Sequence, residues 1–111
     1  WIKGKSIAGP TGPYLVTKNE ITDINNLNLS LDVNGERRQT GNTERMIFNF
    51  NFLISHISHF MTLYPGTIIT TGTPAGTAME MDMPKFLQVG DKLNLKVDHL
   101  GEQNHIVVEE S

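Results

Sequence analysis

A chain of 111 residues and 12.4 kDa has room for one domain with a modest core and none for a second. No cysteine is present, so disulfides are excluded, and 12 acidic against 9 basic side chains, a net charge of −3, give no positive field that would draw in a nucleic acid backbone or an anionic membrane. No apolar run approaches the ~18 residues of a bilayer-spanning helix.

Trp1 is not a natural start, and the residues after it lack the basic, apolar, small-residue order of a signal peptide. The chain is therefore expected to be a piece of a longer protein, with the cytoplasm as its default location. Gly4, Gly9, Gly12, Pro10 and Pro13 make the first segment a loop. Tyr14-Leu15-Val16-Thr17 is a short extended run. Leu27-Asn28-Leu29-Ser30-Leu31-Asp32-Val33 alternates apolar and polar residues, which predicts a half-buried strand. Asn34-Gly35 follows, the dipeptide of a type I′ hairpin turn, so Glu36 to Thr40 is the expected return strand.

Met46-Ile47-Phe48 reads as a strand end and Asn49 as a helix cap. Phe50, Leu53, Ile54, Ile57, Phe60 and Met61 recur at steps of three and four, which predicts one amphipathic helix of about three turns, stopped by Tyr64-Pro65-Gly66. Thr67-Ile68-Ile69-Thr70-Thr71 is rich in β-branched residues and reads as a strand that opens into the tight loop Gly72-Thr73-Pro74-Ala75-Gly76. Val89-Gly90-Asp91 is a turn before the alternation of Leu93, Leu95 and Val97, and a last hairpin passes through Leu100-Gly101 into residues 103–108. The sum is a mainly β, α+β domain: an antiparallel sheet assembly with one helix.

Four features compete for chemistry. Lys5 sits in Gly4-Lys5-Ser6; the preceding chain is too short for a phosphate-binding P-loop, and a solvated lysine is the simpler reading. Thr70 to Gly76 can gather backbone N–H groups and hydroxyls around an anion, or merely form a bend. His56 and His59, three apart, lack a third ligand and suit the polar face of a helix better than a metal site, and His99 and His105 flank a turn. Glu80 and Asp82, with Glu109 and Glu110, show no oxygen-ligand spacing and read as solvated charge.

The combination is more specific than its parts. Gly4-Lys5-Ser6, the run Gly12 to Ile21, Val33-Asn34-Gly35-Glu36 with Arg38-Gln39 and Gly41-Asn42-Thr43, Met46-Ile47-Phe48, and Thr71-Gly72-Thr73-Pro74-Ala75-Gly76 resemble, in this order, the fumarylacetoacetate hydrolase family. The resemblance covers nearly the whole chain and implies the C-terminal part of a catalytic domain across residues 1–111, a mixed β-roll truncated on its N-terminal side. It implies a homodimer that binds Mg2+, with Mn2+ or Ca2+ as alternatives, and acts on 2-oxo acids by C–C hydrolysis, isomerisation or decarboxylation. Lys5 matches the family's active-site lysine, and Gly72 and Thr73 its substrate-binding loop. The family's metal ligands, two glutamates and an aspartate, lie upstream of the lysine block, so none is expected within this chain. The loop after Lys5 is two residues shorter than in relatives and lacks their aspartate. The alternative expectation is an inactive scaffold or dimerisation piece.

Overall fold

Two tight turns set the register of the sheet. In the computed structural model, which describes residues 9–109, Asn34 and Gly35 take φ of 53° and 80°, the positive pair that a type I′ turn requires. They join β1 (Asn28–Val33) to β2 (Glu36–Asn42). A second turn, with His99 at φ 62° and Gly101 at φ 82°, joins β3 (Lys92–Val97) to β4 (Gly101–Ile106). The two hairpins meet through β1 and β3, which gives one antiparallel sheet in the order β2-β1-β3-β4.

Alternation decides which face is apolar. Leu29, Leu31 and Val33 pair across the central seam with Val97, Leu95 and Leu93, so six aliphatic side chains form one stripe. Cross-strand pairs of this kind contribute ~0.2–1 kcal/mol each. Both ends of the seam are clamped by an asparagine and an aspartate. At one end Asn34 Nδ2 donates to Asp91 at 2.8 Å while Asn34 Oδ1 accepts the Lys92 amide. At the other, Asp98 accepts both the backbone and the side-chain N–H of Asn28, at 3.0 and 2.8 Å.

Glycines let loops lie against the edges of the apolar face. A Cβ on Gly41 would stand 2.9 Å from Pro74, and one on Gly101 would stand 2.7 Å from the Tyr14 hydroxyl. Among the described residues only Leu27 and Val33 are buried apolar side chains. Ile47, Phe60, Ile68 and others stay largely exposed.

Helix α1 (Phe50–Ser58) begins where Asn49 caps it, its side chain accepting the Phe52 amide at 2.9 Å. Phe50, Leu53 and Ile57 are half-buried. The helix is shorter than the periodicity suggests: the His59, Phe60 and Met61 amides turn back onto His56 and Ile57, so Phe60 and Met61 lie past its end. Phe48, Phe52 and His56 instead stack along an exposed flank, with centroids 4.6 and 5.8 Å apart, and Phe60 meets His56 edge-on at 5.1 Å.

Tyr14–Thr17, read as an extended run, lies outside the sheet. Two strand readings are corrected: Met46–Phe48 and Thr67–Thr71 enter no sheet. The last has strand propensity, but a strand needs a neighbour to accept its ladder hydrogen bonds, and no described strand pairs with it. Ile68 is accordingly exposed.

Candidate functional site

A β-bulge starts the construction of the site. Leu31 pairs with Gln39 and Asp32 with Arg37, which leaves Arg38 as the extra residue of β2. Bulges of this kind re-aim side chains. Arg38 turns inward, its Nη1 3.4 Å from the Met81 sulfur. Gln39 falls on the apolar face opposite Leu31, under the loop Gly72 to Gly76.

That loop is fastened from three sides. Gln39 Nε2 donates to the Thr73 hydroxyl at 2.9 Å and to the Pro74 carbonyl at 2.7 Å. Gly76, at φ 103°, lies so close to β2 that a Cβ would stand 2.1 Å from the Arg38 carbonyl oxygen. Glu80 reaches back and accepts the amides of Gly76 and Thr77 at 2.7 and 2.9 Å. These amides, with the Thr77 one first, hold the Glu80 carboxyl below its ordinary value. Glu80 is thus the staple of the loop rather than a merely solvated charge.

The loop forms one wall of a cleft of about 630 Å³. Thr71, Gly72 and Thr73 line it together with Asn42, Thr43, Arg45, the run Met46 to Phe48, Leu29 and Leu53. Arg45 is the one charged side chain in this lining. Thr73 is exposed, so its hydroxyl can meet a ligand. Gly72 takes φ 95° with open space around it. A hydroxyl, glycine-rich backbone and a guanidinium around a partly apolar cleft suit a small anion with a carbon skeleton.

Of the residues singled out from sequence, Gly72 and Thr73 lie together on this wall, while Lys5 falls outside the described residues. His56 and His59 are exposed on the α1 flank, His99 is exposed in its turn, and His105 is half-buried beside Gln103, 3.0 Å from its Oε1. Gln39 was legible only as part of a family block, with no role attached to it, and Arg45 carried no signal, since β2 and the turn after it are polar throughout. Among the described residues no cluster of three or more histidines, aspartates or glutamates could hold a metal ion, and the cleft lining contains no carboxylate. These residues by themselves do not fit a divalent cation.

Residues 1–108 match the family model described as fumarylacetoacetate (FAA) hydrolase, C-terminal. The chain belongs to the fumarylacetoacetate hydrolase family. An uncharacterized protein of Staphylococcus aureus (strain USA300) is 48% identical over 99 residues, which cover 87% of this chain and 33% of the relative. The chain thus spans about a third of the length of the curated relatives it matches. The fumarylacetoacetate hydrolase from psychrophilic Exiguobacterium antarcticum superposes with a TM-score of 0.87 at 35% identity, over 91% of this chain and 36% of that one. Maleylpyruvate hydrolase from Sphingobium sp. SYK-6, solved in complex with manganese(II) and pyruvate, gives 0.80 at 33% identity, over 90% and 35%. The 2-hydroxyhepta-2,4-diene-1,7-dioate isomerase from Mycobacterium marinum gives 0.75 at 33%, over 90% and 36%. The four-stranded sheet and the one α-helix among the described residues are therefore this family's C-terminal architecture, as the sequence implied.

Proposed function

We propose that this chain supplies the substrate-holding wall of an enzyme that acts on 2-oxo acids bearing a second carbonyl or carboxylate, by C–C hydrolysis, isomerisation or decarboxylation. The observation that carries this reading is the Gly72-Thr73 loop, which lines a cleft of fitting size and presents an exposed hydroxyl held by Gln39. A relative at 33% identity crystallised with manganese(II) and pyruvate supports the substrate class.

In this reading Thr73 donates to a substrate oxygen that gains negative charge, and Arg45 on the rim attracts the acid. Lys5 adds an ammonium to the same charge. A fixed donor stabilises developing charge without reorganising in the transition state; losing one costs ~2.7–4 kcal/mol in well-placed cases. The divalent ion, magnesium or manganese, takes its ligands from outside the described residues, and the enzyme works as a homodimer.

The test is turnover by the full-length gene product, supplied with magnesium or manganese, on a panel of acylpyruvates, oxaloacetate and diketo acids. Wild type is expected to turn over at least one of them, and Thr73→Val is expected to reduce kcat/KM at least tenfold while Thr73→Ser keeps most of it. No turnover across the panel, or an unaffected Thr73→Val variant, refutes the reading.

A further inference from the structure

Thr73 has one hydroxyl proton, and where it points decides what the cleft can hold. The Pro74 carbonyl oxygen can only accept a hydrogen bond, and it stands 2.7 Å from the terminal amide of Gln39. The atom facing it must therefore be nitrogen; the opposite amide orientation would set two acceptors against each other. The same nitrogen is 2.9 Å from the Thr73 hydroxyl oxygen. Both hydrogens of the Gln39 amide are thus used, one on each oxygen. Thr73 receives a hydrogen bond from below, and its own proton has only the Pro74 carbonyl, at a long 3.5 Å and already occupied, as a local alternative.

We infer that Gln39 is a positioning residue that fixes Thr73 as a hydrogen-bond donor toward the cleft, and so selects ligands that place an acceptor oxygen, carboxylate or enolate, against residue 73. This rests on the proposed reading of Thr73 as a substrate contact. The device is built from four places in the chain. The bulge at Arg38 brings Gln39 to the loop, the absent Cβ of Gly76 permits the approach, Glu80 staples the loop's end, and Pro74 sets the sense of the amide. A glutamate at 39 would keep the side chain's size and reverse the sense at Thr73, at the cost of setting a carboxylate oxygen against the Pro74 carbonyl. Its carboxylate accepts, so the Thr73 proton turns inward and the cleft is left facing a lone pair.

The experiment is a double-mutant cycle on the full-length gene product with magnesium present. Oxalate is the binding probe, read by titration calorimetry, and KM and kcat are measured on whichever 2-oxo acid wild type turns over. Gln39→Glu is expected to weaken oxalate binding at least tenfold and to raise KM, and Thr73→Val to do the same. The double variant should bind no more weakly than the worse single one, because without the hydroxyl there is nothing left to orient. Gln39→Met, which removes the donors without adding charge, should give a smaller loss and serves if Gln39→Glu fails to fold. Affinities within twofold of wild type in the folded position-39 variants overturn the inference. Additive losses do so too, because they would mean that residue 39 acts by displacing the loop. A wild-type protein that neither binds oxalate nor turns over any 2-oxo acid removes the functional reading and this inference with it, a different signature from failure of the cycle alone.

Discussion

The closeness of the cleft loop to β2 makes Gly76→Ala a sharp perturbation, with Gly72→Ala as its control. Both positions have positive φ, 103° and 95°, so an alanine at either pays backbone strain of ~1–2 kcal/mol. They differ in space: nothing lies within 4 Å of a Cβ on Gly72, whereas one on Gly76 would be 2.1 Å from the Arg38 carbonyl oxygen. That is about 1 Å inside ordinary contact, against backbone that is part of the sheet, so the loop must lift. Lifting by that distance takes both Gln39 hydrogen bonds beyond their reach, a further ~1–3 kcal/mol at ~0.5–1.5 kcal/mol each. Gly76→Ala is expected to cost ~2–5 kcal/mol and Gly72→Ala ~1–2 kcal/mol by these terms. Calorimetric unfolding of the full-length gene product should show about twice the loss in Tm for the former. A Gly76→Ala protein no less stable than Gly72→Ala refutes the account of how the cleft wall is fastened.

Lys5→Ala in the full-length protein is expected to lower kcat more than tenfold with the far-ultraviolet spectrum unchanged; undiminished turnover removes Lys5 from the chemistry. The 111-residue chain alone is expected to give no heat of tight magnesium binding, and calorimetric detection of such a site would overturn the assignment of its ligands to sequence beyond the described residues. Asp98 is held below its ordinary value by the amide and then the side chain of Asn28, and Asp91 by the amide of Gln88 and then the side chain of Asn34. Because the native values are the lower ones, the stabilisation is complete above the ordinary aspartate titration and is lost as pH falls through the native values. Asp98→Asn should therefore flatten the fall of Tm on the acid side, and an unchanged slope would refute the seam clamp.

What the sequence revealed and what it hid divide by distance along the chain. The Asn34-Gly35 turn, the Asn49 cap and the alternation of Leu93, Leu95 and Val97 are local signals, and each lies where it was expected. Thr67 to Thr71 has the side chains of a strand, but propensity cannot supply the neighbour that a ladder needs, and the segment stays outside the sheet. The role of Gln39, a residue of a family block, was hidden for a related reason: in a polar run its importance arises only when Thr73 and Pro74 come down on it. Glu80 looked like one more exposed carboxylate until the amides of Gly76 and Thr77 were found pointing at it. The Gly72-Thr73 pair was legible as a block of a family pattern, whereas Lys5 lies outside the described residues.

The seam between the hairpins, with Val33 beside Leu93, closes a long excursion that contains α1 and every residue of the Gly72 to Gly76 loop. Closing a flexible connection costs free energy that grows only with the logarithm of its length, ~0.6 kcal/mol for each doubling. Insertions between the helix and β3 therefore burden stability little, while they reshape directly the cavity wall that carries Gly72 and Thr73. Variation in the shape of the cleft has an inexpensive place to accumulate, on a connector whose two ends the sheet keeps at fixed separation.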